Sequence, residues 1–332
     1  MPRLTVVCLV FLLAAFLRAE DRVGLAELSP ETEAAIGQGL KYLSENQNSD
    51  GSFGREHVVA ETALTLMAFM VQGNFPERPP YGEQLRKGVD YLLEAARRGK
   101  GYMGHSMYEH GLATLALSEA WGMSSRKDEI RDALRAAVQL ILFAQNKEGG
   151  WRYQPRPQDA DVSVTVMQLM ALASAQEAGI LVPDETIKKA IEYVKACFCA
   201  GSGGFAYQAH KGGPALARSA AGVMSLLITG ERKCPEVEQG LRYLLGRLNT
   251  RDFDNAEHYL YAHYYCIQAM YQAGDSFYQQ WYPKIRDALL KKQTASGSFS
   301  APGRDAGSPV RSTAFAILIL GVPYRFLPIY QR

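Results

Sequence analysis

Two carboxylates, Asp159 and Asp161, stand directly before an apolar run that begins at Val162. Asp159-Ala160-Asp161-Val162-Ser163 is the sharpest local signal in the chain. A carboxyl at the mouth of an apolar interior can act as a proton donor when it is kept in its acid form. The same placement can instead cap a helix, because carboxylates favour helix N-termini. Other titratable residues also come just before apolar segments or in their first turn: Glu61, Glu109 and His110, Arg218, Glu257, His258 and His263, and Arg311. Capping accounts well for Glu61 and Asp161. It accounts poorly for Arg218 and Arg311, because a cation near a helix N-terminus needs an acidic partner or an anionic ligand. Tyr259, Tyr261, Tyr264 and Tyr265 crowd the start of one apolar segment. They can form an aromatic wall for an apolar ligand, or simply pack in a core.

The elements that position these residues show up as an internal repeat. Gly39-Leu40-Lys41-Tyr42-Leu43 recurs as Gly88-Val89-Asp90-Tyr91-Leu92, again from Ala137 and Ala190, as Gly240-Leu241-Arg242-Tyr243-Leu244, and more weakly from Ala288. Six units of about fifty residues fill the chain from about residue 31. Each unit opens with an amphipathic helix, apolar on one face and charged on the other. A turn follows, usually Gly-x-aromatic: Gly51-Ser52-Phe53, Gly149-Gly150-Trp151, Gly203-Gly204-Phe205 and Gly297-Ser298-Phe299. The fifth unit departs, with Thr250-Arg251-Asp252-Phe253. A polar loop then leads to a second helix, apolar almost all round and rich in small residues, as in 63–71, 162–175, 219–229 and 312–320.

A helix that is apolar on every side must be buried on every side, so the second helices are inner and the first outer. An open array would need polar caps at both ends. The last inner helix, Ala314-Phe315-Ala316-Ile317-Leu318-Ile319-Leu320, is as apolar as the central ones. The expected fold is therefore all-α: a closed α/α toroid of six helical hairpins, twelve main helices in two concentric rings. All six inner helices then point the same way, and their N-termini gather the titratable residues around one mouth.

Gln145-Asn146-Lys147-Glu148-Gly149-Gly150-Trp151 resembles the Q-x-x-x-G-x-W motif of squalene cyclases; Gln47 to Phe53 and Gln293 to Phe299 match it with Phe for Trp. On these three copies the chain resembles the prenyltransferase and squalene cyclase repeat superfamily. The resemblance implies a toroid around an apolar cavity that holds isoprenoid chains. Asp159 to Ser163 is similar to the D-x-D-D-T motif with which class II terpene cyclases protonate an alkene. This implies catalytic roles for Asp161, as the acid, and for Asp159 beside it. The third acid of the motif is Val162 here, and the chain has one toroid where squalene cyclases have two. The expectation from charge alone is that the helix N-terminus and nearby arginines keep Asp161 ionised. The zinc-dependent prenyltransferase branch would place a metal ligand at Asp161, but its Cys position is Ser163 and its His position falls near Ala262, beside His263. No metal and no cofactor are expected.

The ligand-binding candidates are Glu61, His110, Arg218, His263, Tyr264 and Arg311. The expected partner is an apolar, isoprenoid- or lipid-like small molecule, or a partner protein's apolar segment. A cyclase using Asp161 and a protein-interaction scaffold are the alternatives; the Gly-Cys-Gly-Glu-Gln thioester sequence of complement-type barrels is absent.

Composition agrees with a globular chain. Of 332 residues, 47% are hydrophobic and 21% charged, which excludes wholesale disorder. The net charge of +2 comes from Arg3 and Arg18, leaving no basic field for a nucleic acid. Met1-Pro2-Arg3, the apolar run from Leu4 to Leu17 and Leu17-Arg18-Ala19 have the three parts of a secretory signal, residues 1–19, cleaved after Ala19. Residues 20–332 would then form one exported toroid domain, secreted or periplasmic, with no transmembrane segment. Cys197, Cys199, Cys234 and Cys266 read as small buried hydrophobes, although an exported chain could pair them.

Overall fold

The computed structural model describes residues 28–302 and 307–331. The leader segment 1–19 lies outside the described residues. The outer helices are α1 (Pro30–Glu45), α3 (Gly82–Arg98), α5 (Lys127–Ala144), α7 (Asp184–Ala196), α9 (Pro235–Leu245) and α12 (Asp275–Leu290). The inner ones are α2 (Val58–Met70), α4 (Met107–Trp121), α6 (Val162–Glu177), α8 (Leu216–Ile228), α11 (Tyr259–Ala273) and α13 (Pro309–Leu320). A one-turn helix, α10 (Arg251–Asp254), replaces the Gly-x-aromatic turn where the fifth unit departs from the pattern. Two-residue strands β1 (Phe198–Cys199) and β2 (Gly204–Phe205) pair antiparallel in the fourth turn.

The two helix classes differ as their sequences require. Outer helix α3 buries Leu85, Gly88, Val89, Leu92 and Ala96, a stripe at helical spacing, and ends on Arg97 and Arg98, which suit the negative helix end. Inner helix α6 buries residues on all its faces, including Gln168, Met170 and Ser174. Each inner helix packs against the next in the order α2, α4, α6, α8, α11, α13, and α13 returns to α2. The ring is closed.

Two repeated features explain how the units lock. The first is the glycine of the outer-helix repeat, which lies against an inner helix. A Cβ on Gly88 would sit 2.7 Å from Leu66 Cδ2, and one on Gly240 would sit 2.4 Å from Val223 Cγ2. Glycine inside a helix costs about 1 kcal/mol relative to alanine, and the close approach of two helices offsets it here. The matching glycine of the first unit, Gly39, abuts Ile317 of the last inner helix, so the same contact closes the ring. The second is the glutamine of the Gln-Gly-aromatic motif. Gln47 Nε2 donates to Gly51 O (2.9 Å) and to Gln84 O of α3 (2.8 Å). Gln145 Nε2 does the same with Gly149 O and Thr186 O of α7. Gln293 Nε2 reaches Gly297 O (3.0 Å) and Ala35 O of α1 (2.7 Å). Each glutamine thus ties its own turn to the next outer helix, and the last one ties the sixth unit to the first. The turn glycine must remain glycine: Gly149 has φ 92°, and a Cβ there would lie 2.3 Å from Lys189 O.

Aromatic side chains bridge the inside of the ring. The Tyr108 hydroxyl of α4 stands 3.4 Å from the Tyr265 hydroxyl of α11, across the ring, and Tyr265 also donates to Met167 Sδ of α6 at 3.7 Å. Tyr264 packs edge-on to Phe315 of α13 with ring centres 5.3 Å apart. Large side chains from four inner helices, Tyr108, Met167, Tyr264 with Tyr265, and Phe315, thus form one connected set of contacts. The four cysteines of the described residues are free thiols, with Cys197 and Cys266 buried. Among the described residues no helix is long and apolar enough to cross a membrane.

Candidate functional site

The mouth is organised by the turn before α6. Asp161 pairs with Trp151 through an isolated bridge, its N–H donating to Trp151 O at 3.0 Å, and it is the N-cap of α6. Its Oδ1 accepts from Ser163 N (2.9 Å), Val164 N (2.9 Å) and Ser163 Oγ (2.5 Å). Arg152 Nη1 reaches Oδ2 at 3.3 Å, and Arg152 Nε lies 3.6 Å from Asp159. The Arg152 guanidinium also lies over the Tyr207 ring at 5.5 Å, while Gln208 Nε2 donates to Asp159 at 2.8 Å. The Asp161 side chain is inaccessible to solvent. Burial pushes its carboxyl above the usual value, against the opposing pull of Ser163, Val164, Arg152 and Tyr207. In the direction of the shift, desolvation outweighs the helix end and the arginine.

Above Asp161 lies a pocket of about 850 Å³. Its walls come from the loops of units three and four (Tyr153, Tyr207, Pro214), the first turns of α4, α6, α8 and α11 (Tyr108, Ser163, Arg218, Tyr261), and the end of α9 with α10 (Tyr243, Arg247, Asp252). Five tyrosines therefore face one cavity. Arg247 lies over the Tyr243 ring at 4.3 Å and pairs with Asp252 at 3.2 Å. Tyr261 packs against Tyr108 and Tyr265, with its hydroxyl buried beside Ser163. Burial raises this phenol well above its ordinary value. His258, the residue before α11, adopts a left-handed φ of 55° and lies on the same wall.

Of the eight candidate residues from the sequence, only Arg218 lines this pocket, with Asp161 just beneath it behind Ser163. Asp159 stands outside, half exposed, as a partner of Arg152. Glu61 and Arg311 are paired with each other at 3.5 Å between units one and six. His110 and His263 lie buried away from this pocket, each bonded to backbone. His110 Nδ1 accepts from Met103 N (3.2 Å) and Nε2 bonds Ala137 O (3.1 Å). His263 Nε2 bonds Phe253 O at 2.9 Å, among the rings of Tyr259, Phe253 and Trp281. Burial pulls both imidazoles down to about 4, so both are neutral. Tyr264 is also buried, against Tyr265 and Phe315. Among the described residues no group of three or more His, Cys, Asp and Glu side chains could hold a metal. The sequence reading missed Arg152, Tyr108, Tyr153 and Tyr207. The signal for Arg152 was its position beside Trp151 of the motif, in the turn bridged to Asp161.

The family model of the prenyltransferase alpha-alpha toroid domain matches residues 81–254 and 180–323, most of the chain. The chain belongs to this family. No curated protein matches it by sequence. Among solved structures, a variant of the type II terpene cyclase MstE from Scytonema, in complex with geranylgeranyl dihydroxybenzoate, is 14% identical over 90% of this chain and 98% of its own, with a TM-score of 0.63. An inactive variant of the GH76A alpha-1,6-mannanase of Salegentibacter sp., in complex with alpha-1,6-mannotriose, is 10% identical over 87% and 98%, with a TM-score of 0.67. At such identities the likeness is one of fold. Within this alpha-alpha toroid family member, the site is then defined by its own pocket and by the turn that seats Asp161 below it.

Proposed function

We propose that this chain is an exported toroid that binds an apolar-bodied, isoprenoid-like small molecule in the pocket at the mouth of the ring. One observation carries the reading: a cavity of about 850 Å³ walled by Tyr108, Tyr153, Tyr207, Tyr243 and Tyr261, where the inner helices begin. Its size suits a ligand of roughly drug-like dimensions, and aromatic walls with a few polar groups are usual for such sites. Tyrosine faces take an alkene chain by dispersion. On this reading the ligand lies across the mouth, where Tyr108 and Tyr261 form part of the wall. Export rests on the sequence of residues 1–19, and N-terminal sequencing of the secreted protein starting at Glu20 would support it.

The test is calorimetric titration of the purified chain with farnesol and geranylgeraniol. Binding that is lost in Leu216→Trp and Ala217→Trp, each chosen to fill the cavity, is the expected result. Unchanged binding in both folded variants would place the ligand elsewhere and overturn the reading.

A second reading, catalysis of the type II cyclase kind, is favoured by the raised Asp161 carboxyl, which is one hydroxyl away from the pocket through Ser163. Alkene protonation needs a buried acid that holds its proton, and burial biases Asp161 in that direction. Incubation with squalene and with geranylgeraniol, using the wild type and Asp161→Asn, decides it: cyclised product from the wild type alone supports the role, and no product from either removes it.

A further inference from the structure

The two arginines that begin inner helices have different fates. Arg311, in the first turn of α13, has a carboxylate partner in Glu61. Arg218, in the first turn of α8, lines the mouth pocket, and among the described residues no acidic side chain lies within ion-pair distance of it and its guanidinium donates no hydrogen bond. The two carboxylates on the same wall are Asp252, which is held by Arg247, and Glu257.

Like α2 and α11, and unlike α4, α6 and α13, α8 begins without a side-chain cap. Asp161, Ser106 and Ser308 accept hydrogen bonds from the first amides of α6, α4 and α13. The residue before α8 is Ala215, which has no side-chain acceptor, so the amides of Leu216, Ala217 and Arg218 have no acceptor from their own cap. An absent cap costs about 1 kcal/mol, and a cation in the first turn adds to that cost. Both costs vanish when an anion sits there, because free amides, the positive helix end and a guanidinium fork all favour it. A third group stands on the same pocket wall: the buried Tyr261 hydroxyl, beside Ser163.

We propose that the mouth pocket takes an anionic amphiphile, whose carboxylate or phosphate head is held by Arg218 and the open N-terminus of α8 while its apolar body lies on the tyrosine wall. The proposal rests on the pocket reading above and adds the head group. Arg218 is on this account the specificity-determining residue, and Tyr261 supplies a further donor to the head.

The experiment compares farnesol, farnesoic acid, farnesyl monophosphate and inorganic phosphate by calorimetric titration against the full chain, Arg218→Ala and Arg218→Lys. The expected result is that the two charged farnesyl compounds bind at least about tenfold more tightly than farnesol, as a charge-assisted hydrogen bond implies. Arg218→Ala should remove that advantage, so that the charged compounds bind no more tightly than farnesol does to the same variant, while Arg218→Lys should restore part of it. The ratio of acid to monophosphate then identifies the preferred head. If farnesol binds as tightly as the acids, or the advantage survives Arg218→Ala, the head-group assignment fails while the pocket reading stands. If inorganic phosphate binds as tightly as the monophosphate, the site is a free-anion site and the amphiphile is wrong. If none of the four binds, the pocket reading fails and takes this one with it.

Discussion

Arg311 and Glu61 are 250 positions apart in sequence, and their side chains meet at 3.5 Å, joining the first inner helix to the last. Glu61 is fully buried, and its other oxygen accepts from Arg55 N at 3.0 Å. A buried carboxylate deprived of its cation is costly, typically 3–5 kcal/mol. Arg311 retains some solvent contact, so Arg311→Ala should cost about 2–3 kcal/mol, and Glu61→Gln less, because the amide is neutral. In a double-mutant cycle followed by urea unfolding, the pair Arg311→Ala with Glu61→Gln should cost clearly less than the sum of the two. Strict additivity would mean that the contact does not couple the two units.

That contact also marks what the sequence makes legible. The outer stripe, the uniformly apolar inner helices and the recurring glycine are local patterns, and they dictate two rings and their closure. The logic that a cation at a helix start needs an anion predicts a partner for Arg311 and for Arg218 alike, but not which one the protein itself supplies. The aromatic contacts inside the ring are illegible for a different reason. Tyr264 and Tyr265 are adjacent residues of one helix, and only the rotation of α11 about its axis decides that they point inward while Tyr261 reaches the pocket. Asp161 shows a third limit: its charge neighbours can be read from the chain, whereas its complete burial, which outweighs them, is a property of the assembled turn.

The two buried histidines give the protein an acid limit. His110 and His263 are held neutral, with values near 4 against an ordinary 6.5. The unfolded chain therefore binds protons first, and stability is full above about pH 6.5 and falls as pH drops towards 4. Each shift corresponds to about 3 kcal/mol. The midpoint of thermal unfolding should fall steeply across this window. His110→Gln, which removes the titrating group, should flatten the slope even though it lowers stability at neutral pH. An unchanged slope in both His110→Gln and His263→Gln would contradict the assignment.

Glu119 acts in the opposite sense at the far end of the ring. It is buried at the end of α4, accepts from Ser174 Oγ at 2.6 Å, and burial pushes its carboxyl up to about 7. The folded chain here holds the proton more tightly, so stability is full below about pH 4.5 and is lost as pH rises through 7. Glu119→Gln keeps the shape and removes the ionisation. The variant should match or trail the wild type at pH 5 and exceed it at pH 8.5, by up to about 3 kcal/mol. Equal curves for both proteins between pH 5 and 8.5 would show that this carboxyl is not shifted.

Asp161 separates a capping role from a chemical one. Three of its contacts, to Ser163 N, Ser163 Oγ and Val164 N, are those of an N-cap, and asparagine can make them nearly as well. Asp161→Asn should therefore keep the fold, and because it removes a buried carboxylate whose value burial has raised, it should lose no stability above neutral pH. Asp161→Ala strands two buried amides at the start of α6 and should cost about 1–2 kcal/mol. Arg152→Ala removes the only cation bonded to Asp161 among the described residues, so it should raise the carboxyl further and steepen the loss of stability with rising pH. Urea midpoints for the three variants at pH 5.5 and 8 test this ordering. If Asp161→Asn proves as damaging as Asp161→Ala, the ionised carboxylate is itself structural, and a proton-donating role for Asp161 loses its physical basis.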